Sequence, residues 1–152
     1  MKTIQQWYDD YAVSHQNETN QKIHYFCVPA IFFSIVGMLM SIPSGFLQNT
    51  LGIHNPMLAN WASLLLILLM LFYLRLSFPT FLRMLGFSVL CVIGNYHLGQ
   101  ELPLFTTSLI IFVVAWIGQF YGHKLEGKKP SFFKDLQFLL IGPAWVFEKL
   151  SR

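Results

Sequence analysis

Apolar and polar positions divide this chain into four long hydrophobic stretches joined by short polar links. The first runs from about Phe26 to Leu47 and contains Pro29 and Pro43. The second covers Leu58 to Leu74 and includes the unbroken run from Leu64 to Leu71. The third extends over roughly Thr80 to Tyr96, with Arg83 near its start, and the fourth over Leu104 to Tyr121. A membrane helix needs about 20 mostly apolar residues, with ~17 as a lower bound. The pattern therefore predicts an all-α polytopic membrane protein with four transmembrane helices, at about 26–47, 58–74, 80–96 and 104–121. One such stretch alone fits a buried core helix equally well; four in succession, with almost no charge between them, do not.

The flanks have a different texture. The first 25 residues are polar, with Asp9, Asp10, Asn17, Glu18 and Asn20, and lack the apolar core of a signal peptide. They read as a cytoplasmic helical segment in which Trp7, Tyr8 and Tyr11 rest at the headgroup level. Glu126 to Pro130 is a charged Gly/Pro break, after which Ser131 is placed to cap a helix from Phe132 onward. The stretch to Leu150 is cut by Gly142-Pro143 and predicts an interfacial or re-entrant hairpin rather than a span.

Composition sharpens this picture. Of 152 residues, 55% are hydrophobic and only 11% charged, against about 25% charged in soluble domains. That excludes a water-soluble globule and a disordered chain. Cys27 and Cys91 both lie inside apolar runs, which argues against a disulfide scaffold. The length fits one domain over 1–152. A formal charge of +3, carried by scattered residues, does not make a nucleic-acid surface. With four crossings, all ten Lys and Arg fall on one side of the membrane. The positive-inside rule then puts both termini in the cytoplasm. Short loops and minimal tails point to a bacterial inner membrane, or to the endoplasmic reticulum in a eukaryote.

Candidate chemistry gathers at that cytoplasmic boundary. His15 and His24 are nine residues apart, so on one continuous helix they face opposite ways. They converge only if the chain bends between them, and Asn17 and Asn20 are suited to such a bend through capping bonds. Trp116, Gln119, His123 and Glu126 form one helical stripe at the end of the fourth stretch. Gln119 is costly in lipid unless it faces protein or a cavity. Gly118 and Gly122 form a small-xxx-small pair that serves either an internal helix contact or a homo-oligomer. A lone histidine here reads as a surface residue. Three imidazoles with a carboxylate nearby make a metal site, and both non-haem Fe(II) and zinc accept these ligands. His97 and His54 lie toward the opposite face and read as interfacial histidines, firmly for His54 and loosely for His97.

The motif His15-x-Asn17-x-x-Asn20-x-x-x-His24, followed by Pro29, occurs with Gln119-Phe120-x-Gly122-His123-x-x-Glu126-x-x-x-Pro130 and a later Gly142-Pro143. Together they resemble a family of small membrane dioxygenases that carry out α-oxidation of 2-hydroxy fatty acids, whose fungal member acts in phytosphingosine degradation. The resemblance covers roughly residues 5 to 148. It implies Fe(II) as cofactor and His15, His24 and His123 as catalytic ligands, with Glu126 and His97 as further candidates. Asn17, Asn20 and Gln119 would then hold the rings. Its substrates would be O2 and a long-chain 2-hydroxy fatty acid, whose carboxylate and adjacent hydroxyl can chelate the iron. Cleavage of the C1–C2 bond releases C1 as CO2 and leaves an acid one carbon shorter. Lys22, Lys124, Lys128 or Lys129 would attract the carboxylate, and Phe26, Phe32, Phe33, Trp116 and Phe120 would line the acyl chain. Two other classes compete with this reading: a zinc-dependent membrane lipid hydrolase, and a non-catalytic membrane scaffold or lipid carrier. A transporter is disfavoured because no charged residue lies near the middle of a span.

Overall fold

A computed structural model describes residues 1–127 and 132–152, with the side chains of 132–137 left aside. Among the described residues it is all helical: α1 (Ile4–Val13), α2 (Glu18–Met40), α3 (Gly45–Leu51), α4 (Trp61–Leu76), α5 (Phe78–Glu101), α6 (Leu104–Leu125) and α7 (Phe132–Leu150). Three of these, α2, α5 and α6, are long and apolar enough to cross a bilayer, and they mark a membrane protein.

Each expected hydrophobic stretch falls on a helix, but the limits move for local reasons. The first stretch was expected to run to Leu47; α2 stops at Met40. Pro43 disfavours helical backbone in the residue before it, and a second short helix, α3, takes up Gly45–Leu51. Upstream, α2 begins at Glu18, because Asn17 Oδ1 accepts from the Thr19 and Asn20 N–H groups at 2.9 and 3.1 Å and opens the helix there. The second stretch becomes α4, started by Asn60, whose Oδ1 accepts from Ser63 N–H. Its 16 residues rise about 24 Å, short of the ~30 Å hydrocarbon layer, so α4 is an apolar helix below spanning length.

The C-terminal stretch is helical, as its pattern predicts, but it is one continuous helix and not a hairpin cut at Gly142-Pro143. Gly142 and Pro143 lie inside α7. Pro143 costs a backbone bond, but Ile141 through Val146 are all buried, and that burial holds the helix through the break. Pro29 likewise lies inside a continuous helix, α2.

The helices group into two compact units. One comprises Met1–Phe32 and Phe112–Arg152: α1, the first part of α2, the second part of α6, and α7. Its interior contains Tyr8, Tyr11, Val28, Ile31, Ile141, Trp145 and Val146. Tyr8 and Tyr11, expected at the headgroups, are therefore core residues. The Tyr8 hydroxyl donates to the Ala144 carbonyl at 3.3 Å, tying α1 to α7. The other unit is Phe33–Ile111. Within it Asn95 Nδ2 donates to the Phe33 and Cys91 carbonyls at 3.0 and 2.9 Å, satisfying the donor half of an amide that would be costly in lipid, while its Oδ1 is buried without a hydrogen bond among the described residues. A Cβ on Gly37 would land on Ser108 Oγ and Asn95 Oδ1, so glycine is required there.

Candidate metal centre

The site lies wholly in the unit built from α1, the start of α2, the end of α6, and α7. Thr3 starts α1 with a capping box to Gln6. After Val13 the chain turns: Ser14 and His15 N–H groups bond back to the Tyr11 and Ala12 carbonyls at 3.3 and 3.1 Å. Asn17 then starts α2. This turn reverses the chain between the two histidines, and the rings of His15 and His24 meet edge to face with centroids 4.3 Å apart.

His123 arrives from α6. Its ring centroid is 5.9 Å from that of His15 and 5.4 Å from that of His24. Glycines allow this approach. A Cβ on Gly118 would stand 2.6 Å from Cys27 Sγ, and one on Gly122 would land on Asn20 Oδ1 and come within 3.5 Å of His24 Cε1. The small-xxx-small pair thus serves an internal contact between α6 and α2. All three imidazoles are buried.

Two of the rings have a defined tautomer. His15 Nδ1 lies 2.6 Å from the Tyr11 carbonyl, and His24 Nδ1 lies 2.8 Å from the Asn20 carbonyl. A carbonyl only accepts, so each Nδ1 carries a proton, and in the neutral ring Nε2 then carries the lone pair. This is the usual state of a metal-bound imidazole, whose other nitrogen donates to a carbonyl or carboxylate. Asn20 therefore orients His24 through its backbone rather than its amide, while the Asn17 side chain serves as helix cap.

Sequence reasoning missed the support behind His15. Tyr11 stacks flat on it, with centroids 4.0 Å apart and planes 3° from parallel. Trp145 of α7 stands 4.9 Å from Tyr11 and 5.8 Å from His15. Gly142 brings α7 onto this layer: a Cβ there would be 3.0 Å from Val28 and 3.3 Å from the Tyr11 hydroxyl. Tyr8 and Tyr11, at i and i+3, share a readable face of α1, which ends two residues before His15.

The rings open on a cavity of about 20 Å³ lined by Tyr11, His15, His24, Trp116, Gln119 and His123, with Phe138 and Leu139 from α7. A water needs roughly 10–15 Å³ by this measure, so the space suits an ion or a water and not a long molecule. Among the described residues, no three His, Cys, Asp or Glu groups stand in ligating geometry. The chemistry of the donors, as distinct from their spacing, is of the kind that first-row divalent metals take: three buried imidazoles, two of them bonded to carbonyls at Nδ1, beside an ion-sized space.

The other predicted residues are placed as follows. Gln119 is buried and lines the cavity, as does Trp116. Glu126 meets the start of α2: its Oε1 accepts from Asn17 N–H at 2.5 Å and from Asn20 Nδ2 at 3.1 Å. Lys22 and Lys124 are exposed and do not line the cavity; Lys128 and Lys129, with Pro130 and the proposed cap Ser131, lie outside the described residues. Phe26 is 79% exposed and faces away from the site, while Phe32 is buried. Phe33 belongs to the other unit, where its ring packs at Gly94. His97 and His54 belong there too, both exposed, with His97 against Tyr96. Phe112, Val113, Trp116, Ile117 and Phe120 line a wholly apolar groove of about 300 Å³ on α6, and Trp116 is shared between groove and cavity.

Glu126 also sets a pH dependence. Partial burial acts to raise its carboxyl, but the bonds from Asn17 and Asn20, together with His15 and the Gln16 N–H, hold the carboxyl below the usual range. A lowered folded-state pKa stabilises the fold above the unfolded value, and that contribution fades as pH falls through the folded one. The melting temperature of the wild type should exceed that of Glu126→Gln at neutral pH, and the difference should close in acid. A gap that is constant with pH would contradict this assignment.

Comparison with known proteins places the molecule. A family described as 2-hydroxy-palmitic acid dioxygenase Mpo1-like matches residues 1–152. The chain belongs to the Mpo1-like family. Within that family it is 29% identical over 146 residues to a Saccharomyces cerevisiae protein named 2-hydroxy-palmitic acid dioxygenase MPO1, a match covering 93% of this chain and 76% of the yeast protein. No solved structure gives a significant match.

Proposed function

We propose that this Mpo1-like protein is an Fe(II)-dependent dioxygenase that carries out α-oxidation of long-chain 2-hydroxy fatty acids. The observation that carries the reading is the convergence of three buried rings, His15, His24 and His123, from three separate segments, on one ion-sized cavity. The net reaction balances as 2-hydroxy acid plus O2 giving the acid one carbon shorter, CO2 and water. Fe(II), held by His15, His24 and His123, supplies the one-electron chemistry with O2 that no side chain provides.

The chain's own residues do the rest. The Tyr11 and Asn20 carbonyls hold the His15 and His24 rings at Nδ1, so that Nε2 is the nitrogen that would take the metal. Tyr11, Trp145 and α7 exclude water from the rings. Gln119 reaches the cavity wall, where its amide can bond the substrate's hydroxyl or carboxylate. Lys22 and Lys124, beside His24 and His123 in sequence and exposed, attract the carboxylate toward the rings. The acyl chain, too large for the cavity, follows the apolar groove past Trp116 and Phe120. The proposed location is a bacterial inner membrane or, in a eukaryote, the endoplasmic reticulum.

The test is direct. Purified protein should bind iron, consume O2 with a long-chain 2-hydroxy acid, and release one CO2 per turnover. Turnover that survives strong chelation would overturn the metal mechanism. Hydrolysis without O2 uptake would replace it with a zinc hydrolase. The groove has its own test, because Ile117→Trp would fill it. Burying a methylene from water is worth about 0.8 kcal/mol, and less from lipid. The expected result is therefore a chain-length optimum shifted several-fold toward shorter acids, with maximal turnover little changed. An unchanged chain-length profile would remove the groove from the substrate path.

A further inference from the structure

We infer that Glu126 is a positioning residue, not a metal ligand: it straps the turn between His15 and His24 to the helix that carries His123. A single carboxylate oxygen, Oε1, accepts both from the backbone N–H of Asn17 and from the side chain of Asn20. Asn17 lies two residues after His15, and the Asn20 carbonyl holds the His24 ring. Glu126 itself sits three residues beyond His123 at the end of α6. One side chain thus joins the three segments that supply the imidazoles.

The chemistry explains why a carboxylate stands there. Asn17 N–H is among the donors left without a partner at the start of α2, and an anion at a helix N-terminus is favoured both by those donors and by the helix dipole. The Asn20 amide is fully buried, so leaving its Nδ2 without a partner would be costly. Its Oδ1 lies over Gly122, which fixes the amide against α6 and directs Nδ2 toward Glu126. The strap therefore defines the spacing between the His15–His24 pair and His123, and the affinity for a shared metal depends on that spacing. This inference rests on the metal reading given above, but part of its test does not.

The strap's geometry needs an acceptor, to which the charge adds stability, so amide and alanine variants separate the roles. Glu126→Gln keeps an oxygen for Asn17 and should keep Co(II) affinity, read from the visible absorption of the bound ion, within about threefold of wild type. Glu126→Ala should weaken Co(II) binding by roughly 10–100-fold, the range for residues that orient ligands. It should also speed amide exchange at Asn17 through Gln21 with no metal present. Should Glu126→Ala not fold, Asn20→Asp provides the second route. It replaces the donor by a like charge and should weaken Co(II) binding, and adding Glu126→Gln, which can donate from its amide, should restore it. Equal loss of Co(II) affinity in Glu126→Gln and Glu126→Ala would make the carboxylate a ligand and overturn the inference. Wild-type exchange and affinity in Glu126→Ala would overturn it as well. If wild-type protein binds neither Co(II) nor Fe(II), the metal reading fails, and the exchange data still decide whether the strap exists.

Discussion

Replacing His24 or His123 by Ala should abolish 2-hydroxy acid turnover and strip the bound iron. Residues that merely orient ligands cost 10–100-fold when lost, so removing an imidazole from the cluster should cost more than about 100-fold. The geometry gives the reason. The His24 ring is held by the Asn20 carbonyl at 2.8 Å and touches both other imidazoles, so no neighbouring side chain can take its place. His15→Ala should behave alike and leave the Tyr11 ring without its stacking partner. The exposed His97 and His54 provide the comparison: alanine at either should leave turnover and iron content within about twofold of wild type. Iron per chain, measured by elemental analysis beside O2 uptake, checks both halves. A His24→Ala or His123→Ala protein that retained a tenth of wild-type turnover would remove that ring from the site.

The second large effect is steric. Gly122→Ala should cost both stability and metal affinity, because its Cβ falls on Asn20 Oδ1 and crowds His24 Cε1. The Asn20 amide cannot swing away without losing Glu126, so α2 and α6 must separate and carry the histidines apart. Forcing a methyl into a packed interior typically costs about 1–3 kcal/mol, or roughly 2–4 °C in melting temperature per kcal/mol at this size. Gly86→Ala is the control: it is also a helical glycine, but nothing lies within 4 Å of its new Cβ. That variant should melt at or slightly above wild type. Equal melting temperatures and equal iron content for Gly122→Ala and wild type would contradict the close packing of α6 on α2.

Much of this architecture follows from patterns readable along the chain. Long apolar runs partition into lipid whatever their partners, so the hydrophobic helices were legible from composition alone. Their ends were less so. The stop at Met40 depends on Pro43, a local rule that the apolar run through Leu47 concealed. The persistence of α7 through Gly142-Pro143 depends on burial that only packing creates.

The candidate site divides in the same way. The bend between His15 and His24 could be anticipated, because nine residues on a helix put the rings on opposite faces and Asn17 is a natural cap. The part played by Tyr11 could not, since it acts on His15 through both its ring and its carbonyl. Every residue carries a carbonyl, so which one reaches an imidazole depends on the turn and the rotamer. Glu126 shows the same limit. Its interval from His123 is compatible with a ligand, yet its contacts with Asn17 and Asn20 make it a strap.

By itself the sequence determined a helical membrane protein of the Mpo1-like family, with polar groups set at fixed intervals beside its hydrophobic segments. Both properties follow from short-range rules: lipid solubility adds up along a segment, and helical periodicity assigns each residue a face. Only the tertiary structure decided which polar groups meet. Helix approach depends on where glycines leave room, as at Gly118, Gly122 and Gly142, and on which buried donors must find acceptors. Those are properties of pairs of segments far apart in the chain, and no single segment encodes them.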